Sequence, residues 1–275
     1  KNIQDKFNNV SWNSAIKLLH KPENIGKYKE NFFKRLAFDE IFSTFLVNSE
    51  IRKKIKKNKK KNKTLDLKKQ NKIIDKLSFT LTNDQIKSLK EINKDLCSST
   101  KMFRLLQGDV GSGKTIVALI SCLNVISSNF QASIMAPTEI LANQHFNLAS
   151  KLFNKNIRVK LLTSKTDYKE RKKTLNDLKD GKIDLLVGTH SVYQEKIIYH
   201  NLGLIIIDEQ HKFGVKQRKK LSDKGGKNCD ILVMSATPIP RTMIMTIYGD
   251  MDVSIIKSKP KNRKEITTLS KLDKK

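Results

Sequence analysis

The fold is decided by the stretch Phe103-Arg104-Leu105-Leu106-Gln107-Gly108-Asp109-Val110-Gly111-Ser112-Gly113-Lys114-Thr115. From Gly108 onward it matches the pattern G-x-x-x-x-G-K-[ST], between a strand-like run and a helix-like segment. Glycines let such a loop curl until its backbone N–H groups converge on phosphate oxygens, and the helix that follows adds partial positive charge. The pattern predicts a nucleotide site whose phosphate cradle is formed by Gly108, Asp109, Val110, Gly111, Ser112 and Gly113. Lys114 is expected to reach the β- and γ-phosphates, and Thr115 to bind Mg²⁺ through its hydroxyl.

The chain around this loop alternates short apolar runs with longer amphipathic segments. Strands are predicted at 103–107, 132–136, 159–163, 184–187, 204–207 and 231–234, and helices at 115–127, 140–152 and 169–179. Continuous apolar strands separated by helices indicate a parallel sheet covered by helices on both faces, so the predicted fold class is α/β of the P-loop NTPase type. Ligands of such sheets gather at the carboxyl ends of the strands.

A second acidic motif lies at the end of an aliphatic run, Leu204-Ile205-Ile206-Ile207-Asp208-Glu209-Gln210-His211. Asp208 is expected to hold the hydrated Mg²⁺, and Glu209 to orient and deprotonate the attacking water. Lys114, Asp208 and Glu209 are therefore the predicted catalytic residues. A GTPase would carry an N-K-x-D motif after the loop, and the sequence has none.

Four weaker motifs accompany the phosphate loop and the acidic motif. Phe79 and Gln85 precede the loop, and the amide of Gln85 suits the edge of an adenine because it carries both a donor and an acceptor. Ser235-Ala236-Thr237 offers two hydroxyls after a strand, where the nucleotide state could be relayed. Pro137-Thr138-Glu139 and Gly188-Thr189-His190 each follow a strand and offer groups suited to DNA backbone phosphates. Each tripeptide alone is more often an ordinary turn, so their order carries the argument.

Composition excludes several classes of protein. The 275 residues carry a net charge of +28, which favours polyanionic partners, although an AT-rich genome would also write lysine on any solvated surface. No apolar run approaches the roughly 18 residues of a membrane helix, and no secretory signal is present, so a cytoplasmic location is expected. Cys97, Cys122 and Cys229 are far apart and indicate neither a disulfide framework nor a zinc site. No companion ligands accompany His145, His190 or His211, so no metal role is expected for them.

The first third of the sequence has helical character. Apolar residues recur at three and four over 32–42, which fits a helix with one buried face. The run 52–63 that follows has nine basic residues out of twelve, and it is interpreted as a solvated linker or frayed helix end, with contact to DNA phosphates as the alternative.

Together the motifs resemble those of superfamily 2 helicases and, within them, the RecG family of branch-migration helicases. The likeness covers nearly the whole chain. It rests on the loop with its strand and on the runs Met135-Ala136-Pro137-Thr138-Glu139-Ile140-Leu141-Ala142, Ile207-Asp208-Glu209-Gln210-His211-Lys212-Phe213-Gly214-Val215 and Ser235-Ala236-Thr237-Pro238-Ile239-Pro240-Arg241-Thr242. Gln210 favours this family over the related transcription-repair coupling factors, whose acidic box usually continues Glu-Glu-His. The basic run 257–263 departs from the family, which is usually acidic and rich in Pro and Gly there.

The resemblance implies an organisation and a function. It implies a helical linker at 1–75 after a wedge domain, a RecA-like ATP-binding lobe at 76–260, and at 261–275 the start of a connection to a second RecA-like lobe that supplies arginine fingers. The chain, which does not begin with Met, is expected to be part of a longer protein. ATP and Mg²⁺ are the implied cofactors, and branched DNA, including forks and Holliday junctions, is the implied partner. The implied coupling residues are Gln210, His211, Ser235, Ala236 and Thr237.

The expected activity is that of an ATP-dependent DNA helicase that drives fork reversal and branch migration in repair and recombination. Two alternatives stay open. One is the motor lobe of a transcription-repair coupling translocase, and the other is a half-motor that binds nucleotide and DNA without turnover. Losing an arginine finger costs about 10³–10⁵ in rate, so the isolated chain is expected to be a poor ATPase.

Overall fold

The computed structural model describes residues 10–20, 29–57, 59–154, 157–194, 197–208, 226, 228–237 and 251–258. The chain divides into two compact units: one holds residues 1–55 and 239–251, and the other holds 56–238 and 252–275. No helix in the described ranges is long and apolar enough to cross a membrane.

The first unit contains helix α1 (Trp12–His20) and most of helix α2 (Lys29–Lys57). The helix predicted over 32–42 is confirmed as part of α2. Its predicted buried face is not observed among the described residues, since Phe33, Ile41 and Phe42 are exposed. Phe38 and Phe42 are one turn apart on α2, and their rings stack with centroids 5.7 Å apart. Arg35 and Asp39, also one turn apart, form an ion pair of 3.2 Å.

The second unit is built on one parallel seven-stranded sheet in the order β3-β4-β2-β5-β6-β1-β7. Its strands are β1 (Phe103–Gly108), β2 (Gln131–Met135), β3 (Val159–Leu162), β4 (Leu185–Gly188), β5 (Leu202–Asp208), β6 (Asp230–Ser235) and β7 (Asp252–Ile256). Its helices are α3 (Leu67–Ile74), α4 (Asn83–Cys97), α5 (Lys114–Ile126), α6 (Glu139–Phe153) and α7 (Tyr168–Lys179), with a short 3-10 helix at His190–Tyr193. Because all pairings are parallel, the carboxyl ends of the strands share one edge of the sheet.

Burial along the central strands explains why they read as continuous apolar runs. Every residue of β2, β4, β5 and β6 is buried. Side chains alternate between the two faces of a strand, so both faces of the sheet are covered. The predicted α/β fold with helices on both faces is confirmed.

Helix α5 is the central helix of the core. Eleven of its thirteen residues are buried, as expected of a helix that is packed on all sides. It contacts β1, β2 and β5 of the sheet as well as α3 and α4. The loop that precedes α5 is therefore fixed by a rigid element rather than by another loop.

Two features of this unit differ from the prediction. Strand β7, which pairs with β1 at the edge of the sheet, was not predicted. The interpretation of the basic run as a solvated linker is wrong for Lys60 and Lys63, which are buried in the second unit. Both ammonium groups bind the carboxylate of Asp230 at the start of β6, at 2.7 and 2.6 Å. The second unit begins at Lys56, and the predicted lobe boundary at residue 76 stays a prediction.

Candidate nucleotide site

The phosphate-loop pattern occupies the connection between β1 and α5. Gly111 and Gly113 both have positive φ angles, +77° and +86°, which are cheap only for glycine. A Cβ atom on Gly113 would also overlap the side-chain amide of Gln85. The glycines of the pattern are thus needed by the backbone of the loop itself.

Gly113 is the N-cap of α5 and supplies no side-chain cap. The backbone N–H groups of the first turn of a helix have no partners within the helix, and they attract anions. The hydroxyl of Ser112 in the loop is buried without a hydrogen-bond partner among the described residues. The conformation and the polar groups of the loop fit a bound phosphate chain.

Lys114 folds back over the loop. Its Nζ donates to the carbonyl of Gly108 at 2.6 Å and to that of Asp109 at 3.0 Å. The side chain is buried, so the ammonium lies against the backbone that the pattern assigns to the phosphates. Thr115 follows it in the first turn of α5 and is half-buried.

Gln85 braces the loop from helix α4. Its Nε2 donates to the carbonyl of Ser112 at 2.7 Å. Its Oε1 accepts from the backbone N–H of Thr82 at 2.8 Å, as part of a capping box at the start of α4. The side-chain amide of Gln85 is fully buried, and both of its polar atoms are hydrogen-bonded within the chain. Its predicted contact with adenine stays a prediction.

The side chain of Phe79 belongs to the apolar part of the unit. It packs on the core beside Leu77 and Leu81. It also lines a groove of about 970 Å³ between α3 and α4. Its predicted nucleotide contact likewise stays a prediction.

Asp208 ends β5, which is separated from β1 only by β6. Its Oδ2 lies 2.7 Å from Nε2 of His145 on α6, and both side chains are almost completely buried. Sequence reasoning gave His145 no role. The available signal was its place with Ala142 and Ala149 on the buried face of α6.

The predicted coupling motif is tied to the strand of the loop. Ser235 ends β6, and its hydroxyl lies 3.0 Å from that of Thr237. The carbonyl of Thr237 accepts from Nε2 of Gln107, the residue before Gly108, at 3.1 Å. Ala236 lies between the two hydroxyl residues. The hydrogen bond from Gln107 joins the motif to the residue before the loop.

The two predicted DNA motifs follow neighbouring strands. The backbone N–H of Ala136, which precedes Pro137, donates to the carbonyl of Gly188 at 2.9 Å. Thr138 caps α6 by accepting from the N–H of Leu141 at 3.3 Å. A Cβ on Gly188 would overlap the Leu162 carbonyl of β3, so this glycine also has a packing role.

Glu139, the last residue of the first motif, is the first residue of α6. The carboxylate of Glu139 accepts from the hydroxyl of Ser164 and pairs with Lys165 at 3.4 Å. These contacts hold the pKa of Glu139 below its ordinary value, mainly through the Ser164 hydrogen bond. A phosphate contact there would come from its backbone N–H. Thr189 is the N-cap residue of the 3-10 helix that begins at His190, but its side chain makes no capping hydrogen bond. Glu209, Gln210 and His211 lie outside the described residues.

Comparisons with known proteins show the family of the chain. The sequence pattern of the DEAD/DEAH box helicase family matches residues 82–246. The chain is 45% identical over 271 residues to the ATP-dependent DNA helicase RecG of Aquifex aeolicus, covering 96% of this chain and 34% of that protein. It is 47% identical over 236 residues to the RecG of Thermotoga maritima, covering 86% of this chain and 30% of that protein. It spans about a third of the length of these curated relatives.

A solved structure of RecG bound to a three-way DNA junction is also similar. It superposes with a TM-score of 0.77 at 43% identity, covering 87% of this chain and 32% of that chain.

Proposed function

Because the chain belongs to the DEAD/DEAH box helicase family, we propose that it is the ATP-binding motor lobe of a RecG-type DNA helicase. One observation carries the proposal. The phosphate loop, Asp208 and the turns after β2 and β4 all lie at the carboxyl edge of one parallel sheet. A nucleotide and a DNA backbone bound there would share the same rigid support.

The residues of this edge support a defined division of roles. Lys114 and the loop N–H groups would bind the β- and γ-phosphates of ATP, and Thr115 and Asp208 would hold Mg²⁺. The bound Mg²⁺ would neutralise charge that develops on the phosphates. Glu209 would orient and deprotonate the attacking water. Ser235, Thr237, Gln210 and His211 would pass the nucleotide state on to the DNA side.

The proposed partner is branched DNA. The turns at Pro137–Glu139 and at Gly188–His190 would contact backbone phosphates, and the net charge of +28 supports a polyanionic partner. In the full protein, ATP hydrolysis would drive fork reversal and branch migration in repair and recombination, in the cytoplasm. A second RecA-like lobe would supply the arginine fingers.

The second candidate is a half-motor that binds nucleotide and DNA without turnover. The structure describes one seven-stranded sheet, and the family resemblance implies that hydrolysis takes place between two such lobes. ATP hydrolysis by the 275-residue chain, measured without DNA, with linear duplex and with forked duplex, separates the two. Binding with almost no turnover favours the half-motor. Strong stimulation by forked DNA favours an active motor.

We expect Lys114→Ala to weaken ATP binding, because the ammonium that should bind the β- and γ-phosphates is removed. The measurement is calorimetric titration with a non-hydrolysable ATP analogue in Mg²⁺. Lys179→Ala, at the exposed end of α7, is the control and should bind like the parent chain. Unchanged affinity in Lys114→Ala would show that the site has been assigned to the wrong loop.

A further inference from the structure

The hydrogen bond between His145 and Asp208 joins two buried side chains that come from different elements. His145 is 5% exposed on α6, Asp208 is 8% exposed at the end of β5, and the distance between Nε2 and Oδ2 is 2.7 Å. Burial removes competing water from this contact, so the bond fixes both side chains more firmly than an exposed pair would.

The chemistry of the two groups sets the direction of the bond. Mg²⁺ binds the ionised form of a carboxylate, and that form only accepts hydrogen bonds, so in the Mg²⁺-binding state Nε2 of His145 carries the proton and donates it. With Oδ2 engaged by the imidazole, Oδ1 has no hydrogen-bond partner among the described residues and is open to a further ligand. Residues that hydrogen-bond to a metal ligand commonly orient it in this way, and their loss costs about 10–100-fold in metal affinity or activity.

We infer that His145 is a positioning residue that holds Asp208 in the orientation needed for nucleotide-bound Mg²⁺. The inference rests on the proposed function, because it takes Asp208 as the Mg²⁺-holding acid. In this role His145 would contact neither nucleotide nor metal and would act through Asp208. It sits on the buried face of α6, two turns from the N-cap Thr138, and α6 contacts β2, β3 and β4. The donor is thus supplied by a helix that is itself held against the sheet.

The test compares His145→Leu with His145→Gln. Leucine fills similar space and removes the donor, whereas the amide of glutamine can still donate at similar reach. The measurement is the dissociation constant of a non-hydrolysable ATP analogue, titrated in EDTA and over a series of Mg²⁺ concentrations. Mg²⁺ should strengthen binding of the analogue, and we expect the Mg²⁺ concentration that gives half of this effect to rise about 10–100-fold in His145→Leu. The affinity in EDTA should be unchanged. His145→Gln should keep most of the Mg²⁺ dependence of the parent chain.

Leu152→Ala is the matched control, since Leu152 is buried on the same helix and packs in the hydrophobic core. It should lower stability without changing the Mg²⁺ dependence. The inference is overturned if His145→Leu keeps the Mg²⁺ dependence of the parent, or if Leu152→Ala loses as much.

If His145→Leu does not fold by circular dichroism, His145→Asn replaces it, because its shorter amide cannot reach Asp208. Equal behaviour of His145→Asn and His145→Gln would then overturn the inference. A parent chain that shows no Mg²⁺-dependent binding would instead contradict the proposed function.

Discussion

Three buried charged residues meet at the start of β6. Asp230 is completely buried, and it accepts from Nζ of Lys60 at 2.7 Å and from Nζ of Lys63 at 2.6 Å. Its other oxygen also accepts the backbone N–H of Met102 at 2.7 Å. Lys63 further donates to the carbonyl of Asn228 at 2.9 Å, and its ammonium lies 4.9 Å from the ring centre of Phe130. Burial lowers the pKa of Lys60, while the nearby Asp230 carboxylate opposes that effect.

We expect Asp230→Asn to destabilise the chain by about 3–5 kcal/mol, because it leaves two buried ammonium groups without a counter-charge. The free energy of unfolding in urea measures the loss. Asp180→Asn is the control: it breaks an exposed pair with Lys182, and such pairs contribute about 0–1 kcal/mol. A loss in Asp230→Asn no larger than that of the control would mean that the lysines find other partners.

These residue-scale contacts could not be predicted from the sequence. Asp230 is 170 positions from Lys60, and His145 is 63 positions from Asp208. A run of lysines indicates a solvated segment unless the chain is known to return an acid to it. The glycines and lysine of the phosphate loop were predictable because their chemistry lies within one short segment.

At the scale of elements, six of the seven strands of the sheet were predicted within a few residues. Four of them, β2, β4, β5 and β6, are buried throughout and read as largely apolar runs. Strand β1 is buried from Arg104 onward. Strand β3, at one edge of the sheet, is only partly buried, but three of its four residues are apolar. Strand β7, Asp252-Val253-Ser254-Ile255-Ile256, lies at the edge of the sheet and mixes polar with apolar residues. Ile255 is 38% exposed, and the segment therefore lacked the pattern that revealed the other strands.

The start of α4 is joined to the residues that follow β7. The carboxylate of Asp84 accepts the backbone N–H groups of Ser258 at 2.8 Å and of Lys257 at 2.9 Å. The hydroxyl of Ser258 donates to that of Thr82 at 2.9 Å. One helical turn thus contacts the segment that leaves the sheet, while its Gln85 contacts the phosphate loop.

The hydrogen bonds from Ser258 and Lys257 lower the pKa of Asp84 below its ordinary value of 3.8. A carboxyl group whose pKa is lowered by folding stabilises the folded state at pH values above its ordinary pKa. This stabilisation is lost as the pH falls through the lowered pKa. We expect Asp84→Ala to speed hydrogen–deuterium exchange of the Lys257 and Ser258 amides at about pH 7. The difference from the parent chain should shrink below pH 3.8. A difference that did not depend on pH would point to lost packing instead of lost charge.

At the scale of the whole molecule, the net charge of +28 has two explanations: lysines placed on a DNA-binding surface, or a general enrichment in lysine. Lys165 follows β3 at the carboxyl edge, beside Glu139, whereas Lys182 precedes β4 at the opposite edge. Charge reversal at either position changes the net charge equally. The two lysines therefore distinguish a DNA surface from a general lysine bias.

We expect affinity for duplex DNA to fall more than about tenfold as salt rises from about 50 to about 200 mM, because bound phosphates release counterions. Fluorescence anisotropy with labelled duplex measures it. Lys165→Glu should weaken binding and reduce the salt slope by about one ion, while Lys182→Glu should leave the slope unchanged. Equal effects at both positions would favour the general lysine bias.

The pair of buried lysines also limits how this gene can evolve. Exchanges elsewhere in the lysine-rich segment leave the Asp230 contacts intact, so drift in base composition could rewrite much of it at little cost. An insertion or deletion between Lys60 and Lys63 is different, because it would change their spacing and turn one ammonium away from Asp230. A segment of low-complexity appearance would then exchange many of its residues, while the number of residues between the two buried lysines stays fixed.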